Sequence, residues 1–205
     1  MLLRRWTCMI CSIVLMLAAG CAHAPPGAAT TQPAAIAQDR DHVVIEAVLA
    51  DLLAAKESPV AVRGQAPTEI RFAEKAATYP VTAQGILLRH DKEKWAALSP
   101  TELDAATEAA NEIVRRHASS DGFKPFVPRD ARVNVQAEPT TQSARSSVLE
   151  RPVQAWPPGF TADGRYAIVF LSIPWSMHHA NATYLLQRGG GDGWRIVLRQ
   201  FVYYV

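Results

Sequence analysis

Apolar and polar positions alternate with two different periods along this chain, and the change of period divides it. Between residues 41 and 56, Val44, Ile45, Val48, Leu52 and Ala55 fall on one stripe. Val43, Leu49 and Leu53 widen that stripe, which predicts a helix buried over most of its surface. Asp39 or Asp41 is the expected cap, Lys56 suits the negative end of the helix dipole, and Ser58-Pro59 is the expected stop. Thr68 to Ala73 alternates, with Ile70 and Phe72 against Glu69 and Arg71, as a half-buried strand does. Ile86-Leu87-Leu88 reads as a second short strand. Ser99-Pro100-Thr101-Glu102 is a capping box with proline at the first helical position, and it opens a second helix. The inward stripe of that helix is Leu103, Ala106, Ala110, Ile113 and Val114. Arg115, Arg116 and His117 complement its last turn, and Gly122 supplies a stop.

Residues 123–150 carry three prolines and read as a long loop, with one alternating stretch at Arg132 to Gln136. The last third has strand character. Arg165 to Ile173 is a near-continuous apolar run, and Asn181 to Gln187 is a second strand. From Trp194 to Val205, Trp194, Ile196 and Leu198 alternate against Arg195, Val197 and Arg199. Gly189-Gly190-Gly191-Asp192-Gly193 joins the last two as a hairpin, and neither a Gly-Lys-Ser/Thr nor a helix follows as in a phosphate loop. The predicted class is α+β: two main helices packed on a C-terminal antiparallel sheet, in one domain from residue 39 to 205.

The N-terminus follows a different logic. Arg4 and Arg5 precede an apolar stretch from Cys8 to Leu17, interrupted only by Ser12, and Ala18-Ala19-Gly20 supplies small residues. This three-part order is that of a secretory signal. The stretch is shorter than the roughly 20 residues a membrane-spanning helix needs. Residues 22–38 are rich in Ala, Pro, Thr and Gln and nearly uncharged, and they read as a disordered tether.

Removal of residues 1–20 takes away two arginines, so Lys+Arg falls from 21 to 19 against 19 Asp+Glu. The remaining chain is near neutral, which argues against a nucleic-acid partner, since that would need a basic stripe. Cysteine occurs only at positions 8, 11 and 21, and Cys8-Met9-Ile10-Cys11 lies inside the export segment rather than at a redox or zinc site. Cys21 is then alone, an intramolecular disulfide is impossible, and the fold rests on core burial.

Leu17-Ala18-Ala19-Gly20-Cys21 resembles the lipobox of bacterial lipoprotein signal peptides, although Ala18 stands where that family usually has leucine. The resemblance implies a diacylglyceryl thioether on Cys21, cleavage before it and acylation of the new amino group. It therefore implies a membrane partner through that lipid. Alanine at position 22, rather than aspartate, implies the outer membrane, facing the periplasm. The competing reading is ordinary signal-peptidase cleavage after Ala22-His23-Ala24, which would put Pro25 directly after the cut.

The C-terminal third also resembles a group of uncharacterised bacterial secreted proteins and lipoproteins. In that group a strand follows a Phe-x-x-x-Gly turn and leads to a hairpin closing on tryptophan. The matching residues are Phe160, Gly164, Ala167, Val169, Tyr184, Leu185 and Trp194. The group implies a fold but no activity.

Candidate chemistry concentrates in Pro174 to His179, with Trp175, Ser176, His178 and His179 as the residues of interest. A metal site through both histidines is disfavoured, because adjacent residues of an extended chain point to opposite faces and zinc needs at least three protein ligands. A hydrolase with Ser176 as nucleophile lacks a Gly-x-Ser-x-Gly turn and a visible oxyanion donor. A polar loop in which Trp175 covers the sheet edge, or binds a ligand or protein, accounts for the segment more simply. The Asn181-Ala182-Thr183 sequon carries little meaning in a bacterial lipoprotein. Trp95, Trp156 and Trp194 read as core or sheet-face aromatics. No cofactor and no metal are expected. The leading expectation is a lipid-anchored, non-catalytic binding or structural domain with an unidentified ligand or protein partner. The alternative is an envelope hydrolase built on the 176–179 segment.

Overall fold

The computed structural model describes residues 32–60, 66–119, 128–137, 151–175, 178–190 and 193–204. The expected export segment, Cys21, Gly122 and most of the expected 123–150 loop lie outside the described residues, so nothing tests the readings made there.

The first helix, α1, spans Gln32–Ala54. It therefore starts ahead of the expected boundary at residue 39, inside the segment read as a tether. Pro33 falls in the first turn, where a missing N–H costs nothing, and Ala34, Ala35 and Ala37 have the highest helix propensity. Asp41 is thus inside the helix rather than at its cap. The helix also ends at Ala54, so Lys56 lies past its last turn. The apolar stripe is as expected: Val44, Ile45, Val48, Leu49, Leu52 and Leu53 are all buried.

A short parallel pair follows, β1 (Ile70–Ala73) with β2 (Val133–Gln136), and Ile70 is opposite Val133. Ile86-Leu87-Leu88 is not a strand. It lies at the end of helix α2 (Ala83–Ile86), which Thr82 caps by accepting from the Gly85 N–H, and only Ile86 is fully buried. Three apolar residues without alternation do not define a period, and the cap decides the outcome. Helix α3 (Lys92–Ala96), which no sequence pattern announced, is capped by Asp91 through the Lys94 N–H. Helix α4 (Pro100–Ala118) carries the expected capping box between Ser99 and Glu102. Its buried side is mostly alanine: Ala105, Ala106, Ala109, Ala110 and Ile113, with Leu103 and Val114 half-buried at the margin.

The main sheet is antiparallel. It contains β3 (Gln154–Ala155), β4 (Gly159–Phe160), β5 (Tyr166–Trp175), β6 (His178–Arg188) and β7 (Trp194–Tyr204). The order is β3-β5-β6-β7, and β4 pairs β5 further along the edge that β3 uses. Pro157 and Pro158 separate β3 from β4 because neither can donate to the ladder. The fold class is as the sequence indicates: helices and a C-terminal antiparallel sheet, mixed as α+β.

The near-continuous apolar run in β5 has a simple cause, since both faces of the strand are covered. Ala167, Val169, Leu171 and Ile173 join one core with α1 and β1. Tyr166, Ile168 and Phe170 join a second core with α4, α2 and α3. Strand β7 departs from the expected alternation. Leu185 pairs with Leu198 and Leu186 with Ile196, so Val197 is an extra residue. Trp194 and Ile196 therefore pack on the α1 side, whereas Leu198 packs on the α4 side.

Candidate functional site

The expected six-residue loop is mostly sheet. Pro174 pairs with His179 and Trp175 with His178, so the connection from β5 to β6 shortens to Ser176 and Met177. Ser176 lies outside the described residues, as does the side chain of Trp175. His178 and His179 sit at the start of β6, both exposed, and as neighbours on one strand they face opposite sides of the sheet. His179 stacks on Tyr204 of β7, with ring centroids 4.9 Å apart and planes 16° from parallel. Among the described residues, no carboxylate is hydrogen-bonded to either imidazole, and no group of three or more His, Cys, Asp or Glu is placed to hold a metal ion. What the fold assembles here is a stacked pair, His179 on Tyr204, while Tyr203, next along β7, faces the other side of the sheet. Burial of the Tyr203 phenol, and secondarily the charge of Glu57, raises its pKa above the usual tyrosine value.

The most organised polar groups lie elsewhere in the fold. Tyr184 is fully buried in β6, and its hydroxyl donates to Asp51 Oδ2 at 3.0 Å. Arg199 Nη1 donates to both Asp51 oxygens, at 3.2 and 3.0 Å. Burial, then the neighbouring Asp51 charge, raises the Tyr184 pKa far above its ordinary value. The phenol is therefore a neutral donor and not an available base. This triad fastens the end of α1 to β6 and β7. A second lock joins α1 to α4. Arg116 meets Asp41 end-on, with Nη1 to Oδ1 at 2.9 Å and Nη2 to Oδ2 at 2.6 Å, and it also donates to the Pro158 carbonyl. Both side chains are largely buried, and Arg40 covers the Phe160 ring beside them at 3.8 Å.

A third set of bonds holds the α2–α3 segment against the sheet. Gln200, 1% exposed, accepts from Trp95 Nε1 at 2.7 Å and from the Asp91 N–H, and it donates to the Leu88 carbonyl. Thr183 donates to the Ile86 carbonyl at 2.8 Å. Beside these bonds lies an open depression of about 530 Å³, lined by His90, Asp91, Lys92, Glu93 and Phe201. Its first four residues lie on the Gln200 side of β7. Phe201 packs on the other face, so the depression runs over the outer edge of that strand.

A buried glutamine or tyrosine bonded at long range leaves no periodic trace in a sequence. The only hint was that Tyr184, Gln200 and Asp51 sit at inward positions of otherwise apolar elements.

No family model, curated protein or solved structure matches this chain.

Proposed function

We propose that the protein is a lipid-anchored component of the bacterial cell envelope, held to the outer membrane through Cys21 and facing the periplasm. In this reading its folded part is a binding or structural domain without catalysis. The observation that carries the anchor is the order Arg4-Arg5, an apolar stretch over residues 8–17 and Leu17-Ala18-Ala19-Gly20-Cys21. Ten residues, 22–31, separate that cysteine from α1. Among the described residues, no helix is long and apolar enough to cross a membrane, so attachment in this reading rests on acyl chains alone.

The non-catalytic part is supported by how the interior polar groups are used. Asp41 with Arg116, Asp51 with Tyr184 and Arg199, and Gln200 with Trp95 each tie one element to another. The exposed His179, stacked on Tyr204, contributes an aromatic and imidazole surface suited to contact with a partner.

The test is fractionation of cells expressing the full chain, followed by intact-mass measurement of the detergent extract. The unaltered chain is expected in the membrane fraction, heavier than the polypeptide from residue 21 by its acyl groups. The Cys21→Ser chain is expected in the aqueous fraction. Recovery of the unaltered chain there without added mass overturns the anchor.

A further inference from the structure

Burial is spread unevenly over the elements that cover the main sheet. Six apolar side chains of α1 and five of α4 are buried. Of residues 80–98, which hold α2 and α3, only Ile86 and Trp95 are. These two helices are four and five residues long, too short to persist without support from the sheet. The stretch has fixed ends. Before it, the Ala77 N–H donates to the Ala155 carbonyl, and Trp156 Nε1 donates to the Tyr79 carbonyl. After it, the capping box ties Ser99 to Glu102.

Between those ends the fastening is largely polar. Thr183 of β6 is opposite Gln200 of β7, beside the Leu185–Leu198 pair. Among the described residues, every side-chain hydrogen bond of Thr183 and Gln200 goes to this stretch. Thr183 donates to the Ile86 carbonyl, and Gln200 donates to the Leu88 carbonyl. The Gln200 oxygen accepts from the Asp91 N–H and from Trp95 Nε1. One amide group thereby serves both helices. The open depression of about 530 Å³ runs along residues 90–93, so that side of the stretch carries no packing.

We infer that residues 80–98 form a lid that opens as one unit, hinged between the Trp156–Tyr79 bond and the Ser99–Glu102 capping box and latched by Gln200. Opening takes two buried side chains off the sheet. It uncovers Thr183, Leu185, Leu198 and Gln200, an apolar floor with one hydroxyl and one amide. Helices α1 and α4 and strands β5 and β6 stay in place, because each is held by far more burial. The lid does not depend on the lipid anchor.

The test is hydrogen exchange of the full chain carrying Cys21→Ser, followed amide by amide at denaturant concentrations below the unfolding transition. The amides of Ile86, Leu87, Trp95 and Ala97 are bonded within the lid. They are expected to exchange together, about 100-fold or more faster than those of Val169 and Leu185 in β5 and β6, and with a weaker dependence on denaturant. Gln200→Leu leaves the Leu88 carbonyl and the Trp95 N–H unsatisfied and is expected to speed the lid amides about tenfold. Ile45→Val, in the α1 core and away from the lid, is expected to speed the Val169 and Leu185 amides about fivefold and to leave the lid amides unchanged. That separation holds only if the lid opens while the rest stays folded. Lid amides that exchange at the strand rates overturn the inference, as do different rates for α2 and α3. So do lid amides that respond to Ile45→Val as the strands do, or that Gln200→Leu leaves unmoved.

Discussion

The two faces of the main sheet are covered by helices that pack in opposite ways. On one face α1 inserts large side chains, with Val44, Ile45, Val48, Leu52 and Leu53 set against Val169, Leu171 and Ile173. On the other face α4 presents alanines at 105, 106, 109 and 110 and lets backbone approach backbone. A Cβ on Gly159 would come within 1.9 Å of the Ala109 carbonyl oxygen, so only glycine fits at that crossing. Aromatic side chains fill the space beyond it, with Trp156 packed on Phe170 at 4.8 Å. The α1 face therefore draws its stability from apolar volume. The α4 face draws it from close approach, which is intolerant of added atoms.

The contrast can be broken most sharply where the two helices are tied to each other. Arg116→Ala strands the buried Asp41 carboxylate without its partner and is expected to cost about 3–5 kcal/mol in urea unfolding. Leu52→Ala removes volume from the α1 face and is expected to cost about 3 kcal/mol through the cavity it leaves. Gly159→Ala adds a single methyl group to the α4 face. It is expected to cost about 2 kcal/mol, a loss in the opposite direction of volume. If the methyl is neutral, the close-approach account of α4 is wrong.

The smallest effect is in pH, and it has opposite sign for the two helices. On α4, hydrogen bonds from Ser99 hold the Glu102 pKa below the usual carboxylate value, and those from Arg115 do the same for Glu112. Depressed carboxylates stabilise above their unfolded pKa of about 4.5 and lose that contribution as pH falls through the folded values. Where α1 meets β6, the pKa of Tyr184 is raised by burial and by Asp51 of α1. Its contribution is complete below the unfolded value of about 10 and is lost as pH rises beyond it. Thermal unfolding from pH 9 to 11 should therefore fall more steeply for the unaltered protein than for Tyr184→Phe. Acidification below about pH 4.5 should affect both alike.

Much of the architecture was legible because burial imposes a period. The α1 stripe, the Ser99–Glu102 capping box, the Ile70/Phe72 alternation and the three long strands all carry local signals, and each element formed where its signal lay. The start of α1 at Gln32 carries no local signal, because proline in a first turn and proline in a tether look alike. Helices α2 and α3 are one or two turns long, too short to show a period. Of the candidate site, the sequence found the segment but not its form. His178 and His179 belong to a strand, and His179 has Tyr204 as its stacking partner because β6 and β7 pair in that register.

The order of residues along the chain thus determined the elements, their type and most of their buried faces, since period, caps and turn residues act between near neighbours. Only the tertiary structure decided which face Leu198 joins, that Gly159 meets Ala109, and that Asp41 and Asp51 have Arg116 and Arg199 as partners. Those outcomes depend on register and on contacts between positions far apart in the chain, which are set when whole elements pack and not by any residue's neighbours in sequence.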